Sequence, residues 1–144
     1  VFLNGDNVST RIRTQQVGDA ASTVSQYPAV REKMVKLQQS LAEHSSVVMD
    51  GRDIASKVLP NADTKIYLTA SVEERARRRA NELREKGEVC DIAEVEAEIR
   101  ARDDRDMHRQ HSPLIQVPEA VLVDSSTLTI DETIDRILEI CMQH

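Results

Sequence analysis

Apolar residues recur every three or four positions in five segments, a spacing that predicts five amphipathic helices. The first follows Thr14, and the second begins at Pro28, where the missing N–H of proline costs nothing in a first turn. Each of the other three follows a capping residue with a glutamate three positions later: Ser71 with Glu74, Asp91 with Glu94, and Thr129 with Glu132. Gly87 is expected to end the helix after Ser71.

Short runs rich in β-branched residues lie between these helices and predict strands at 45–49, 65–69 and 120–123. Residues 59–63, with the sequence LPNAD, predict a turn between the first two strands. Strands that alternate with helices are typical of an α/β fold built on a parallel sheet. The pattern contains no internal repeat and no low-complexity linker.

The helix after Asp91 changes along its length from an apolar face to a charged face. Ile92, Val95 and Ile99 share one side, and the same spacing then reaches Arg102, Asp106 and Arg109. Guanidinium groups turned inward need anionic partners, which Asp106 supplies only in part. The surplus positive charge favours a phosphate or carboxylate arriving from outside, although a solvated, salt-bridged helix end explains the same pattern.

A second charged cluster, Asp50, Gly51, Arg52 and Asp53, follows the predicted strand at 45–49. Gly51 is expected to permit a tight turn at the end of that strand. Parallel sheets bind ligands at the carboxyl ends of their strands, so the position favours a binding site. An ordinary acidic turn is the alternative.

Composition narrows the function classes. The chain has 144 residues, 40% of them hydrophobic, and a formal net charge of −6, which fits one domain and argues against nonspecific nucleic-acid binding. No apolar run is long enough to span a membrane, and no signal-peptide pattern opens the chain. Cys90 and Cys141 lack metal-ligand spacing, which favours reduced thiols in a cytosol. Concentrated arginines in an acidic protein suit a small anionic ligand.

Four segments, in this order, resemble the bacterial-type cytidylate kinases, which phosphorylate CMP and dCMP with ATP. They are VSTRIRTQQVGDAASTVSQYPAVR, DGRDIASKVLPNADTKIYLTASVEERARRR, RARDDRDMHRQHSPL and VLVDSSTLTIDETI. The resemblance implies an α/β fold of the P-loop nucleoside-monophosphate-kinase type, a parallel sheet with flanking helices. It also implies a cytoplasmic transferase of pyrimidine nucleotide metabolism that uses ATP with Mg²⁺. Residues 1–44 resemble the monophosphate-binding insert, and 45–144 resemble the carboxyl-terminal part of the core, with a lid at about 78–110.

The resemblance also assigns roles to individual residues. Ser22, Arg31 and Asp53 match groups that contact cytosine, and their donors and acceptors complement its O2, N3 and N4 amino group. Uracil presents the wrong pattern at position four, so UMP would leave a buried group unpaired.

Four further residues match the phosphate and ribose side of the CMP site. Arg52 and Arg109 match groups that hold the CMP phosphate, where a planar guanidinium suits two oxygens at once. Asp106 matches the residue that bonds the ribose hydroxyls, and Arg102 orients that end. Asp50 is expected to orient arginines or metal-bound water.

On the ATP side, Arg75, Arg78 and Arg79 begin the lid helix, and one of them is expected to stack on adenine. A solvated basic helix face is the alternative. No residue of the chain is expected to ligate a metal directly, because the histidines lack a ligand spacing with cysteine or acid.

The sequence departs from the family in two respects. It contains no G-x-x-x-x-G-K-[ST] motif, so about the first third of the enzyme, with its phosphate loop and central strand, is expected to lie outside this sequence. We therefore expect the chain to need a separate amino-terminal segment or self-association to fold. In addition, Ala55 and Ser56 stand where the family usually has Gly-Thr.

Two other functions remain open from the sequence. A monophosphate kinase of different base preference is disfavoured by Ser22, Arg31 and Asp53. A non-catalytic nucleotide-binding fragment or remnant is compatible with the absent phosphate loop.

Overall fold

The structure, a computed structural model, describes residues 1–108 and 113–143 and divides into two units, Val1–Val48 and Met49–His144. The regions expected from the family resemblance, 1–44 and 45–144 with a lid at about 78–110, stay predictions.

Unit 1 is a small hairpin followed by two helices. Its elements are strands β1 (Phe2–Leu3) and β2 (Asp6–Asn7), a 3-10 turn (Arg11–Arg13), and helices α1 (Gln15–Val24) and α2 (Pro28–Ala42). The Thr14 side chain accepts a hydrogen bond from the Val17 N–H, and Pro28 occupies the first turn of α2. Both predicted helices and both predicted starts are therefore confirmed.

Unit 2 is built on a parallel strand pair. Its elements are a π-helical turn (Ile54–Val58), β3 (Ile66–Thr69), α3 (Val72–Glu85), α4 (Ile92–His108), β4 (Val121–Asp124) and α5 (Ile130–Cys141). β3 and β4 pair in parallel, with Ile66 opposite Val121 and Thr69 opposite Asp124. Two predicted strands, three predicted helices and the parallel α/β class are thereby confirmed. The parallel strand pair with its flanking helices agrees with the fold that the family resemblance implies.

The predicted strand at 45–49 is wrong. Residues 46–50 have no strand assignment, and Val48 is fully exposed. A strand exists only when a neighbour satisfies its N–H and C=O groups, and no strand of the described part of the chain pairs with this run.

Gly51 lies in a tight turn, as predicted, and the reason for glycine there is steric. Gly51 does not have the positive φ that a left-handed turn requires, unlike Gly87, where φ is 80° at the end of α3. A Cβ on Gly51 would instead lie 2.9 Å from Cγ1 of Ile54. Glycine here permits a close approach between the Asp50–Asp53 turn and the next residue, not a special backbone conformation.

Small residues bring the helices of unit 2 together. Ala76 and Ala80 of α3 are fully buried, and Val95 of α4 and Val123 of β4 are nearly so. Short side chains let two helices approach closely, so α3 and α4 pack along much of their length. The buried face of α4 predicted from Val95 is confirmed, although Ile92 is 42% exposed.

The three predicted capping boxes form to different degrees. Ser71 accepts a bond from the Glu74 N–H, but the Glu74 carboxylate binds Arg77 and Arg78 instead of closing the box. Asp91 accepts a bond from the Ala93 N–H at 2.8 Å. Of the three, only Thr129 forms the complete box.

Thr129 caps α5 through a reciprocal pair of hydrogen bonds with Glu132. The N–H and hydroxyl of Thr129 donate to the Glu132 carboxylate and hold its pKa below the ordinary value of 4.5. A carboxyl with a lowered pKa stabilises the fold above its unfolded-state pKa. That contribution is lost as the pH falls through the folded-state value.

Thr129→Ala should therefore lower the thermal unfolding midpoint by a few degrees at pH 7, because an orphan N–H is exposed at the start of α5. The difference from the parent should shrink below about pH 4.5, which unfolding scans at several pH values will measure. Thr127→Ala, at an exposed position in the same loop, is the matched control. Equal midpoints for the two variants would contradict the assignment.

Candidate functional site

Unit 2 brings together three of the predicted site residues, on α4 and on the Asp50–Asp53 turn. Arg52 Nη1 lies 3.1 Å from Asp106 Oδ2, with the two side chains 35% and 19% exposed. Arg102 Nε lies 3.9 Å from the same oxygen. One carboxylate of α4 thus sits between two guanidinium groups that come from separate elements.

The charged face of α4 is only partly turned inward. Asp106 is half-buried and pairs with Arg52, as the need for an internal counter-charge predicts. The Arg102 side chain is 67% exposed, so the expectation of an inward Arg102 is wrong. A long side chain can keep its charged end in water while its stem follows the protein surface. Arg109 lies outside the described residues.

The segment between Asp53 and β3 contains a single π-helical turn, Ile54–Val58. The Asp53 carbonyl accepts bonds from the N–H groups of Lys57 and Val58 at 2.8 and 3.3 Å and from the Ser56 hydroxyl at 3.4 Å. Single π-turns are rare and occur frequently at functional sites. Ser56, the departure from the family pattern, thus stabilises the turn that carries Arg52 and Asp53. Asp50 is exposed.

Unit 1 holds the other two predicted substrate residues, Ser22 on α1 and Arg31 on α2. Arg31 Nη1 donates to the Ser25 carbonyl at 3.3 Å, and the Ser25 hydroxyl donates to the Ser22 carbonyl at 2.8 Å. Ser25, which the sequence did not single out, therefore connects the two within their own unit. The Ser22 side chain is exposed and Arg31 is half-buried.

The arginines predicted for the ATP side are held by internal bonds. Arg75 forms a bidentate pair with Asp103, with Nη1–Oδ1 and Nη2–Oδ2 distances of 3.0 and 2.6 Å. Arg78 donates to the carbonyl and hydroxyl of Ser125 at 2.6 and 3.2 Å. Arg79 pairs with Glu82 on the surface.

Asp103 and Ser125 are the residues that sequence analysis missed. Asp103 is 17% exposed, and Ser125, at 4%, is the most buried polar residue described. Position alone gave a signal for Ser125, because it directly follows β4, where parallel sheets bind their ligands. Asp103 gave none, since it lies within a run of alternating charges.

Other features of the described residues offer no competing site. A depression of about 420 Å³ between β4 and α5 is lined by four carboxylates and a single arginine, a charge balance that disfavours an anionic ligand. No group of three His, Cys, Asp or Glu residues in the described part of the chain could hold a metal ion. None of the described helices is long and apolar enough to cross a membrane.

Comparison with known proteins decides the family. The family model described as "Cytidylate kinase" matches residues 1–143. The chain belongs to the cytidylate kinase family. Cytidylate kinases of Symbiobacterium thermophilum and Geobacillus kaustophilus are 45% and 49% identical to it, over 98% and 97% of this chain and 62% of each relative. A third, from Caldicellulosiruptor bescii, is 47% identical over 97% of this chain and 62% of its own length.

The family resemblance expected from the sequence is confirmed. The chain spans less than two thirds of the cytidylate kinases that it matches, 62% of their length, and the matched part is their carboxyl-terminal part. Membership of the cytidylate kinase family agrees with the parallel sheet of unit 2. The roles of individual residues stay predictions.

The Arg78 contact with Ser125 should stabilise unit 2, because it satisfies a buried carbonyl at the end of β4. Arg78→Ala removes the charged donor at 2.6 Å and leaves that carbonyl with only the Leu128 N–H, at 3.3 Å. It should lower the free energy of unfolding by about 1–3 kcal/mol, the range for a hydrogen bond to a charged group. Arg77→Ala, which removes only a surface partner of Glu74, is the matched control and should have little effect. Chemical denaturation measures both. Equal losses would show that the Ser125 contact contributes nothing.

Proposed function

We propose that the protein is a cytidylate kinase that transfers the γ-phosphoryl group of ATP to CMP or dCMP, giving CDP or dCDP. The observation that carries the proposal is the Arg52–Asp106 contact, which joins two residues that the family resemblance assigns to one CMP molecule. Family membership with relatives named cytidylate kinase supports it.

The base would be selected by Ser22, Arg31 and Asp53. A hydroxyl both donates and accepts, a guanidinium only donates, and a carboxylate only accepts. Together these groups complement the two acceptors and one amino donor of cytosine. Uracil would place a carbonyl oxygen where Asp53 needs a donor, so UMP would bind and react less well.

The monophosphate would be held by Arg52 and Arg109. Phosphoryl transfer depends mainly on positioning and on neutralising charge, which two guanidinium groups at the acceptor phosphate provide. Asp106 would bond the ribose hydroxyls, with Arg102 orienting it and Asp50 orienting the arginines. In the structure Asp106 also neutralises Arg52, so the phosphate of CMP would take over as the counter-charge of that arginine.

The ATP side would be only partly formed by this chain. Arg75, Arg78 and Arg79 are its candidates, and Arg79, 39% exposed, is the one that pairs only with a surface glutamate, Glu82. ATP is used with Mg²⁺ in the family. No group of three His, Cys, Asp or Glu residues in the described part of the chain is arranged to hold that ion.

The phosphate loop would come from an amino-terminal segment, supplied separately or in the same polypeptide. Pairing with a copy of itself would help the chain to fold but would supply no phosphate loop. The partners would be CMP or dCMP and ATP, in the cytoplasm. No observation favours a non-catalytic role, because every predicted residue of the CMP side is present in the sequence.

The proposed activity can be tested with two preparations. One is the present chain alone, and the other, the extended chain, carries in front of it the amino-terminal part of the Geobacillus kaustophilus relative. The extended chain should phosphorylate CMP with ATP in a coupled ADP-release assay, and the present chain alone should not. Mixing the present chain with the separate amino-terminal part should restore activity. An extended chain that folds and yet transfers phosphate to none of CMP, dCMP, UMP or AMP would refute the proposal.

The role of Asp53 in base selection predicts a change of specificity. In the extended chain, Asp53→Ala should raise the KM for CMP and reduce the preference for CMP over UMP by about tenfold or more, because the cytosine amino group loses its acceptor. Asp63→Ala, an exposed aspartate of the following turn, is the matched control. If Asp53→Ala keeps the preference for CMP, the base is recognised by other residues.

A further inference from the structure

Asp103 is a half-buried carboxylate of α4 for which no role has been assigned. Its two oxygens accept bonds from both terminal nitrogens of Arg75, at 3.0 and 2.6 Å, in the fork-to-fork geometry that gives the strongest arginine–carboxylate pairs. The Asp103 side chain is 17% exposed and that of Arg75 is 33% exposed.

Arg75 also binds the end of a strand. Its third nitrogen, Nε, donates to the carbonyl of Ala70 at 3.0 Å, and Ala70 is the buried residue that directly follows β3. All three nitrogens of the guanidinium are therefore used within the protein. The pair attaches α4 to the carboxyl end of β3 through α3, and it gives Arg75 a task other than binding ATP.

The attachment lies one helical turn from the candidate CMP site. Asp103 precedes Asp106 by three positions, so the two side chains lie on neighbouring positions of the same side of α4, and Arg102 is adjacent in sequence. Asp106 meets Arg52 of the Asp50–Asp53 turn. Rotation or sliding of α4 would move Asp106 and Arg102 together relative to that turn.

We propose that Asp103, acting through Arg75, is a positioning residue that fixes α4 in its rotation about the helix axis and in its position along that axis. It thereby places Asp106 and Arg102 for the ribose and phosphate of the acceptor nucleotide. The inference rests on the proposed function. It names a further residue on which recognition of the acceptor nucleotide depends. Displacing a binding group by about 1 Å can cost two orders of magnitude in rate, so a remote pair of this kind matters for catalysis.

A second ion pair between the same helices provides the matched control. Nη2 of Arg100 on α4 lies 2.7 Å from Oε1 of Glu73 on α3, but the two side chains are 54% and 64% exposed. Exposed pairs contribute little and do not fix geometry. Glu73→Gln therefore removes one charge from the α3–α4 surface, as Asp103→Asn does, without loosening the half-buried attachment.

The test uses the extended chain. Asp103→Asn should raise the KM for CMP by about tenfold or more while the KM for ATP changes less than about twofold, since only the acceptor side is misplaced. Asp103→Glu, which restores the charge, should recover part of the loss, and Glu73→Gln should resemble the parent.

Three results would overturn the inference. Asp103→Asn could change the KM for CMP no more than Glu73→Gln does. It could raise the KM for ATP as much as that for CMP, which would make Arg75 a contact of ATP. It could lower the unfolding midpoint and kcat with both KM values unchanged, which would make the pair purely structural. Failure of the proposed function is a separate result, seen as an unmodified extended chain that does not phosphorylate CMP.

Discussion

The parallel pairing of β3 with β4 is the constraint on which the rest of unit 2 depends. Parallel strands bring their carboxyl ends to the same edge, and here the Thr69 carbonyl accepts bonds from both the N–H and the hydroxyl of Ser125, at 2.8 and 3.0 Å. Arg78 of α3 then binds Ser125, and Arg75 of α3 binds the carbonyl of Ala70. Two successive turns of α3 are thus attached to the two strand ends, so the sheet determines where α3 lies.

α3 in turn positions α4, and α4 positions the candidate site. Arg75 holds Asp103, α4 carries Asp106 one turn further, and Asp106 meets Arg52. Buried or half-buried ion pairs add little net stability, because desolvation offsets their attraction, but they restrict the arrangements that leave no charge unpaired. Two such pairs on one face of α4 give that helix a defined rotation. The charged face of α4 therefore contributes more to the placement of this helix than to the free energy of unfolding.

Local patterns predicted the helices, and non-local contacts explain the errors. Thr14, Gly87 and Thr129 mark helix ends through hydrogen bonds within a few residues, and Pro28 marks one through its fixed φ. Such local signals are visible in any sequence. The apolar run at 45–49 also looks like a strand, but a strand needs a neighbour, and the sequence does not say which neighbour is present. Similarly, spacing identified Asp106, whereas the Asp103–Arg75 pair joins residues 28 positions apart and depends on the packing of α3 against α4. The Ser125–Arg78 contact spans 47 positions for the same reason.

On this proposal, the chain carries the residues that recognise the acceptor nucleotide of a cytidylate kinase. Isothermal titration of the extended chain with CMP, UMP and AMP measures that recognition without requiring turnover. We expect CMP to bind at least about tenfold more tightly than UMP or AMP, because only cytosine satisfies the groups predicted to face it. Equal affinities for the three nucleotides in a folded protein would contradict the account.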